Sequence, residues 1–221
     1  YWISNSNMMT TLTAKYDLKL GQHAVNFLVG TSYEHYKYER LYSKRTDFVS
    51  DGLEDIEQGN NISKDLPDGR GIVESKMLSY FGRINYSYKD RYLFEANLRA
   101  DASSRFHKDN RWGWFPSFSA GWRISEEAFM KPLNSVLSNL KLRGSWGNIG
   151  NQSITPYAYI PGMDAEQAYW TVSGIKVTTL KPAALVSNSF TWEKVTTIDV
   201  GFDLGLLDNR LNMVFDWYRR D

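Results

Sequence analysis

Strict alternation of apolar and polar side chains is the feature that most constrains the fold of this chain. Between Leu12 and Leu20 the even positions are apolar or aromatic, and the odd positions are polar or charged. Successive side chains of a β-strand point to opposite faces, so a period of two predicts a strand with one apolar face and one polar face. The pattern returns along most of the sequence and predicts an all-β protein.

The alternating segments predict about eight strands. Reversals at Gly21 and at Lys89–Arg91 are short enough to join their neighbours as antiparallel hairpins. In the last strand we expect Trp217 on the apolar face and Asp216 and Arg219 on the polar face. The predicted strands lie near residues 12–20, 25–33, 82–88, 92–100, 118–124, 140–146, 198–204 and 211–217.

The connections fall into two classes. Those at Gly21, Lys89–Arg91 and Gly205–Asn209 are short, whereas those near 37–76, 102–114 and 148–190 are long and polar. If the strands run up and down in order, all the long connections lie at one end, as in bacterial barrels with short periplasmic turns and long external loops. Residues 125–138, with predicted short helical turns, are the one exception, since they fall at the short-turn end.

The strands suit a membrane barrel better than a soluble β-sandwich, although a sandwich also alternates and stays open as an interpretation. No run approaches the roughly 18 apolar residues of a membrane helix, but barrel strands need only about 9–11 residues. Aromatic residues near the strand ends predict the two interfacial girdles of a barrel. These are Tyr86, Tyr88, Tyr92 and Trp122 at the short-turn end, and Tyr33, Trp146, Trp192 and Trp217 at the other.

Alternation also assigns each strand residue to a face. A shift of one residue would put charges into lipid, so the assignment is specific. We expect charges on the lumen face to pair across strands, with a substrate path as the alternative role. The outward set is Ile84, Tyr86, Phe94, Leu98, Ala120, Trp122, Leu142, Val200 and Phe202, and the lumen set is Arg83, Asn85, Glu95, Asn97, Arg99, Arg123, Arg143 and Asp199.

Composition excludes several classes of site. The chain has 221 residues and no cysteine, which removes disulfides and zinc–thiolate centres. A net charge of +1 gives no reason to expect nucleic acid as a partner. The chain begins and ends inside strand-like sequence and shows no signal peptide. We therefore interpret residues 1–221 as an internal fragment of a longer protein.

Several blocks, in order, resemble the SusC/RagA branch of the TonB-dependent transporters. The longest is YFGRINYSYKDRYLFEANLR at 80–99, which continues through DASSRF at 101–106 and NRWGWFPSFSAGWRISEE at 110–127. Two more are LKLRGSWGNIGNQ at 140–152 and FTWEKVTT at 190–197, followed by a hairpin at 201–218. The resemblance covers roughly residues 76–221, and residues 1–75 fit as one hairpin and a variable external loop.

The resemblance implies an antiparallel up-and-down transmembrane β-barrel of 22 strands, of which this chain would supply about eight. It implies an outer-membrane location in Bacteroidota, active import of oligosaccharides or peptides, a SusD-like surface lipoprotein as partner and energy from TonB. The plug domain and the TonB box that the family carries are absent from residues 1–221. The alternative is a passive porin or surface-binding barrel without energy coupling, and a soluble carbohydrate-binding sandwich is the third hypothesis.

No catalytic constellation and no cofactor site is apparent, so we expect a transporter and not an enzyme. An acidic group is compatible with Ca²⁺ but equally with a solvated loop. It comprises Glu54, Asp55, Glu57, Asp65 and Asp68.

The long connections carry the candidate ligand residues. The segment 102–115 is rich in aromatic and charged residues, and Trp112 within it could stack on a sugar ring or could pack loop against loop. The segment 148–190 is less family-like and carries Tyr157, Tyr169 and Trp170. The segment 37–76 is also less family-like, and we expect ligand choice to depend mainly on these two segments.

Overall fold

The computed structural model describes residues 2–43, 69–133, 136–163, 165–183 and 185–221. Eight strands form one antiparallel sheet in chain order, interrupted only by a separate two-stranded hairpin inserted before the last two. The sheet strands are Trp2–Leu20 (β1), His23–Tyr42 (β2), Gly69–Tyr88 (β3), Tyr92–Ser103 (β4), Trp112–Arg123 (β5), Leu137–Asn151 (β6), Glu193–Leu206 (β9) and Leu211–Arg220 (β10), and the hairpin is Ala165–Val172 (β7) with Ile175–Leu180 (β8). This confirms an up-and-down barrel segment.

The short connections lie together at one end of the sheet. Gly21, Lys89 and Asp90 have φ between 55° and 59°, the left-handed geometry that tight hairpins use. Backbone hydrogen bonds tie adjacent connections: the Lys89 amide donates to the Gln22 carbonyl at 2.8 Å, and the Arg123 amide donates to the Arg91 carbonyl at 2.8 Å. The short-turn end is therefore a continuous rim.

The connection between β5 and β6 contains two short 3₁₀ segments, Ile124–Glu126 and Ala128–Leu133. This agrees with the short helical turns predicted for 125–138. Within the described ranges, no helix is long and apolar enough to cross a membrane.

Strand register keeps the two predicted sets of side chains on opposite faces. Tyr86 lies opposite Phe94, which lies opposite Ala120, and the row continues through β6 and β9 to Val200. On the other face Arg83 lies opposite Asn97, and Asn85 opposite Glu95. No shift occurs along β1 to β5, so the alternation in the sequence translates directly into two chemically distinct surfaces.

The polar face is the concave one. A basin of about 710 Å³ is lined from β1 across to β9, and charged side chains of the polar set surround it. The opposite face carries stacked rings, including Tyr86 on Phe94 at 6.3 Å and Phe118 on Trp146 at 5.9 Å between centroids. The curvature therefore puts the polar face where a barrel has its lumen.

The strands differ from the prediction in length. β1, β2 and β3 have 19, 20 and 20 residues, because their polar outer parts continue the ladder instead of forming loop. β4 and β5 likewise extend to Ser103 and from Trp112, so the predicted 102–114 loop shortens to residues 104–111. Most of the remaining first long connection, with the acidic group at 54–68, lies outside the described residues.

Two further predictions need correction. The segment 148–190, predicted as one long polar connection, begins inside β6, which ends at Asn151, and contains the β7–β8 hairpin. Arg219 was expected on the polar face, yet it lies opposite Ile198 and so belongs to the apolar set of β10.

Candidate functional site

Ion pairs dominate the concave face. Arg143 of β6 lies 3.2 Å from Asp203 of β9 and 2.7 Å from Asp216 of β10, so one guanidinium joins three strands. All three side chains are about two-thirds buried. Charges in such a setting are stable only when they are paired. The expected cross-strand pairing is therefore present at this position.

A second network lies nearer the long-connection end. Arg99 donates to Asp101 at 2.8 Å and to the Ser79 hydroxyl at 2.9 Å. Arg83 donates to the Asn97 side-chain oxygen at 2.6 Å, and the Asn97 amide donates to Glu95 at 2.7 Å. These groups form a charge-balanced polar wall that can offer hydrogen bonds to polar solutes.

The outward face has an apolar band of constant height. In β5 the band runs from Trp112 to Trp122, and in β2 from Tyr33 back to His23, eleven residues and therefore ten residue steps in each case. At about 3.3 Å per step and a tilt of about 40°, ten steps span roughly 25 Å, the height of the apolar band of outer-membrane barrels.

The aromatic rings mark both edges of this band. At the short-turn end Tyr88, Tyr92 and Trp122 stack in sequence, with centroids 6.3 Å apart at each step. At the other end Tyr80 stacks on Trp112 at 6.0 Å. The register places Tyr33 in the same row as Trp112, through β3 and β4.

Beyond the band the outward face becomes charged. His35 contacts Glu74 at 2.8 Å, and Lys76 contacts the same carboxylate at 3.0 Å. Lys37 pairs with Glu39 at 3.2 Å. The outward side chains change from apolar to ionic between one row, with Tyr33 and Leu78, and the next outward row, with His35 and Lys76. This change indicates where the strands leave the apolar band.

A small buried core lies at the long-connection end. Phe106 is fully buried and packs against Trp192 at 5.4 Å, while Phe115 meets the same indole edge-on at 5.3 Å. Met77 and Ile154 cover this cluster. The Phe115 ring occupies the space where a Cβ on Gly113 would lie, at 2.4 Å, so glycine is required there.

Hydrogen bonds join the same core to three connections. Arg105 donates to the Ile154 carbonyl at 2.8 Å, Asn110 donates to the Asn188 carbonyl at 2.7 Å, and the Trp192 indole donates to the Arg111 carbonyl at 2.7 Å. The sequence predicted Trp192 in the outer aromatic girdle. This prediction is wrong, because the side chain is only 7% exposed and lies within the loop core.

The four predicted ligand residues occupy different surroundings. Tyr169 and Trp170 lie on β7 and are 93% and 58% exposed. Tyr157 has φ of 61° and lies 6.4 Å from Tyr159 between ring centroids. Trp112 faces outward and stacks on Tyr80, so it lies on the face of the sheet opposite the concave basin.

The sequence analysis did not predict the role of Glu127, which anchors the aromatic side chains at the short-turn rim. Glu127 is buried and accepts hydrogen bonds from Tyr92 at 2.6 Å, Trp122 at 3.2 Å and Arg91 at 3.0 Å. The Tyr92 phenol, then the Trp122 indole and the Arg91 charge lower the pKa of this carboxyl. No periodic signal marks Glu127, since it lies between strands. Across the described ranges no group of three His, Asp or Glu side chains could hold a metal ion.

Similarity to known proteins covers the whole chain. The family model for the TonB dependent receptor-like β-barrel matches residues 1–221. The chain is 37% identical over 223 residues to the TonB-dependent receptor SusC of Bacteroides thetaiotaomicron, covering 97% of this chain and 21% of that protein. It is 34% identical over 212 residues to the TonB-dependent receptor P26 of Formosa agariphila, covering 93% of this chain and 21% of that protein.

Solved structures agree with the sequence comparison. The RagAB peptide transporter superimposes with a TM-score of 0.86 at 26% identity, over 99% of this chain and 24% of that one. The siderophore receptor PirA from Acinetobacter baumannii has a TM-score of 0.58 at 14% identity, covering 99% of this chain and 27% of that one, and so shares the fold alone.

The chain thus spans about a fifth of the length of the curated relatives it matches. Members of the matched family are outer-membrane β-barrels that act as receptors and transporters. The chain belongs to this family, as a β-barrel segment of a TonB-dependent receptor of the SusC/RagA type.

Proposed function

We propose that this chain forms part of the barrel wall of an outer-membrane importer of oligosaccharides or, alternatively, peptides. TonB energises the import, through a region outside residues 1–221. A SusD-like lipoprotein covers the external side. Family membership supports the proposal, and so does the division of the sheet into an apolar outward face and an ionic concave face.

The paired charges of the concave face are the observation that carries it. Arg143 with Asp203 and Asp216 needs a wet or polar surrounding, whereas the outward band needs lipid. One sheet satisfies both only as the wall between a bilayer and a polar lumen. Such a lumen gives a hydrophilic oligomer a path that avoids the hydrocarbon.

The external side follows from the connections. The core of Phe106, Phe115 and Trp192 joins the connections that follow β4, follow β6 and precede β9 into one unit. We place this unit outside the cell, where the β7–β8 hairpin with Tyr169 and Trp170 is available to the ligand or the lipoprotein. Exposed rings of this kind suit stacking on sugars.

Uptake in living cells tests the proposal and separates it from the porin alternative. The full-length protein and its SusD-like lipoprotein are expressed together in a host that lacks both. Uptake of labelled oligosaccharides and peptides is then followed. Import that stops when TonB is deleted or the proton gradient is collapsed supports an active importer. Passive, gradient-independent entry at the same rate overturns the energy coupling and favours a porin.

A further inference from the structure

A cluster of exposed apolar side chains lies on the connection between β5 and β6, at the short-turn end of the sheet. Phe129, Leu133 and Val136 are each more than half exposed, and so is Leu207 in the turn between β9 and β10. The Val136 amide donates to the Leu133 carbonyl at 2.9 Å, and the Leu207 amide donates to the Val136 carbonyl at 2.9 Å. Large apolar side chains gathered at one edge of a surface mark a site of contact with a protein or a membrane.

The first part of this connection is held against the outward edge of the sheet. Glu127 accepts hydrogen bonds from Tyr92 at 2.6 Å and from Trp122 at 3.2 Å, and both rings belong to the stacked outward girdle. The Met130 amide donates to the Glu127 carbonyl at 3.0 Å, so Phe129 lies within a turn that starts at this contact. Phe129 therefore follows directly on an anchor at the lipid-facing side of the rim.

The last part of the connection returns to the same face. Leu204 and Leu206 continue the outward alternation of β9, and Leu140 and Leu137 of β6 lie opposite them. Val136 immediately precedes β6 and so adjoins this apolar row. Both ends of the connection are therefore continuous with the surface that meets lipid, which favours lipid over a protein as the occupant of the cluster.

The charges of the connection suit the boundary between phospholipid headgroups and acyl chains. From Ala128 to Leu133 the one charged residue is Lys131, which is exposed. A lysine between apolar residues can bury its hydrocarbon stem while its ammonium reaches a lipid phosphate. The nearby acid, Glu127, is buried and paired with Arg91 at 3.0 Å, so it does not oppose an anionic headgroup as a free charge.

From these observations we propose that Phe129, Leu133, Val136 and Leu207 insert into the phospholipid leaflet at the short-turn end, with Lys131 at the level of the phosphates. The inference goes beyond the proposed function, because it concerns the lipid around the wall and not the imported solute. Interfacial segments enter about 5–10 Å into the boundary between headgroups and acyl chains. Insertion of this kind fixes the depth of the wall beside the aromatic girdle. Because several side chains share the contact, the loss of one of them leaves assembly of the barrel intact.

Fluorescence quenching of single labels tests the insertion. Phe129→Cys, Leu133→Cys and the matched control Gln22→Cys are made in the full-length protein, after every cysteine outside residues 1–221 is replaced by serine. Gln22 is the control because it is exposed in the tight turn between β1 and β2, at the same rim. Each variant carries a nitrobenzoxadiazole label and is placed in phosphatidylcholine nanodiscs, which leave both faces open to quenchers. Assembly is checked by migration in unheated gels.

We expect iodide in the water to quench the labels at Phe129 and Leu133 several-fold less than the label at Gln22. Lipids that carry a nitroxide just below the headgroup should quench the same two labels several-fold more than the control. Equal iodide quenching at all three positions overturns the insertion. Protection of the two labels from both quenchers overturns it as well, because another part of the protein then covers the connection.

Lipid preference tests the contact of Lys131 with the phosphates. Nanodiscs of phosphatidylcholine and phosphatidylglycerol are prepared with the nitroxide on one lipid or the other, and the label at Phe129 is followed. We expect labelled phosphatidylglycerol to quench up to about fivefold more than labelled phosphatidylcholine, because one cation lies near the membrane surface. Lys131→Gln should remove this preference and Lys131→Arg should keep it. A preference that is absent, or that survives Lys131→Gln, overturns the role of Lys131. TonB-dependent uptake is measured separately, so failure here leaves the proposed function standing.

Discussion

The Tyr92 phenol donates a hydrogen bond of 2.6 Å to the Glu127 carboxylate, and this contact ties the aromatic rim of the barrel wall to the connection between β5 and β6. The same carboxylate accepts from the Trp122 indole, whose ring stacks on Tyr92. Arg91 supplies the opposite charge at 3.0 Å. One buried acid therefore fixes two girdle rings and a hairpin turn at the short-turn end.

Stability at this rim should fall in acid. Hydrogen bonds from Tyr92 and Trp122, together with Arg91, lower the pKa of Glu127 from its usual 4.5. A carboxyl with a lowered folded-state pKa contributes stability that is present above the unfolded pKa and is lost as pH falls through the folded pKa. Below pH 4.5 we expect the melting temperature of the full-length barrel to fall, as followed by heat-modifiable gel migration.

Glu127→Gln should lower the melting temperature at neutral pH and reduce its change between pH 6 and pH 3. Glu126→Gln is the matched control, because it alters the neighbouring acid, for which the structure gives no comparable set of contacts. An acid response that is identical in Glu127→Gln and in the parent would contradict the anchor role.

The loop core should depend on Phe106. Replacing this fully buried ring by alanine leaves a cavity between Trp192 and Phe115 and should cost about 3–5 kcal/mol. Because the core joins three connections, we expect faster proteolysis of those connections while the barrel itself remains assembled. Phe129→Ala is the control, since this ring is 63% exposed. It should change neither the rate of proteolysis nor the assembly of the barrel. Equal protease resistance in both variants would count against a cooperative loop unit.

Ligand contact by the β7–β8 hairpin is tested by Tyr169→Ala with Trp170→Ala. Both rings are exposed, so we expect uptake of the protein's own substrate to fall several-fold at unchanged protein level. Trp112→Ala is the informative comparison, since its ring lies on the outward face and should affect uptake little. Unchanged uptake in the double variant would remove ligand contact from this hairpin and leave the importer proposal intact.

Residues 1–221 expressed alone should not form a closed barrel. In the described residues β1 and β10 are the two edges of the sheet, and unpaired edges with a broad apolar face promote aggregation. We expect aggregation unless detergent is present. A monodisperse, detergent-free monomer that unfolds cooperatively in gel filtration and urea titration would contradict this.

The alternation of apolar and polar residues was enough to assign side chains to the two faces of the sheet. Strand register in a barrel wall follows this pattern because one face meets lipid. Ala120 and Ser119 are separated correctly from the sequence alone. Strand ends were harder to predict. Lys37 and Glu39 put charges on the outward face, where the strand has passed the apolar band, and a charged segment is then indistinguishable from loop.

Trp192 was misplaced for a related reason. Extending the alternation back from Val200 places Trp192 on the outward face only if the strand includes it. Because β9 begins at Glu193, Trp192 lies before the strand and its indole can turn into the loop core. The β7–β8 hairpin lacked an alternating signal, since its register shifts between Gln167 and Thr171. The core of Phe106, Phe115 and Trp192 joins residues that lie far apart in the chain, which spacing along the sequence does not reveal.

The separation of the two faces is the central claim, and nitroxide accessibility measures it most directly. Residues 1–221 contain no cysteine, so single labels can be placed within this segment of the full-length protein in lipid vesicles. Small residues are replaced by cysteine at outward positions Ala96 and Ala120 and at concave positions Ser119 and Ser145. We predict that oxygen, which concentrates in lipid, relaxes the outward labels more strongly, and that a water-soluble nickel complex relaxes the concave labels more strongly. A reversed pattern, or equal accessibility of Ala120 and Ser119, would contradict the account.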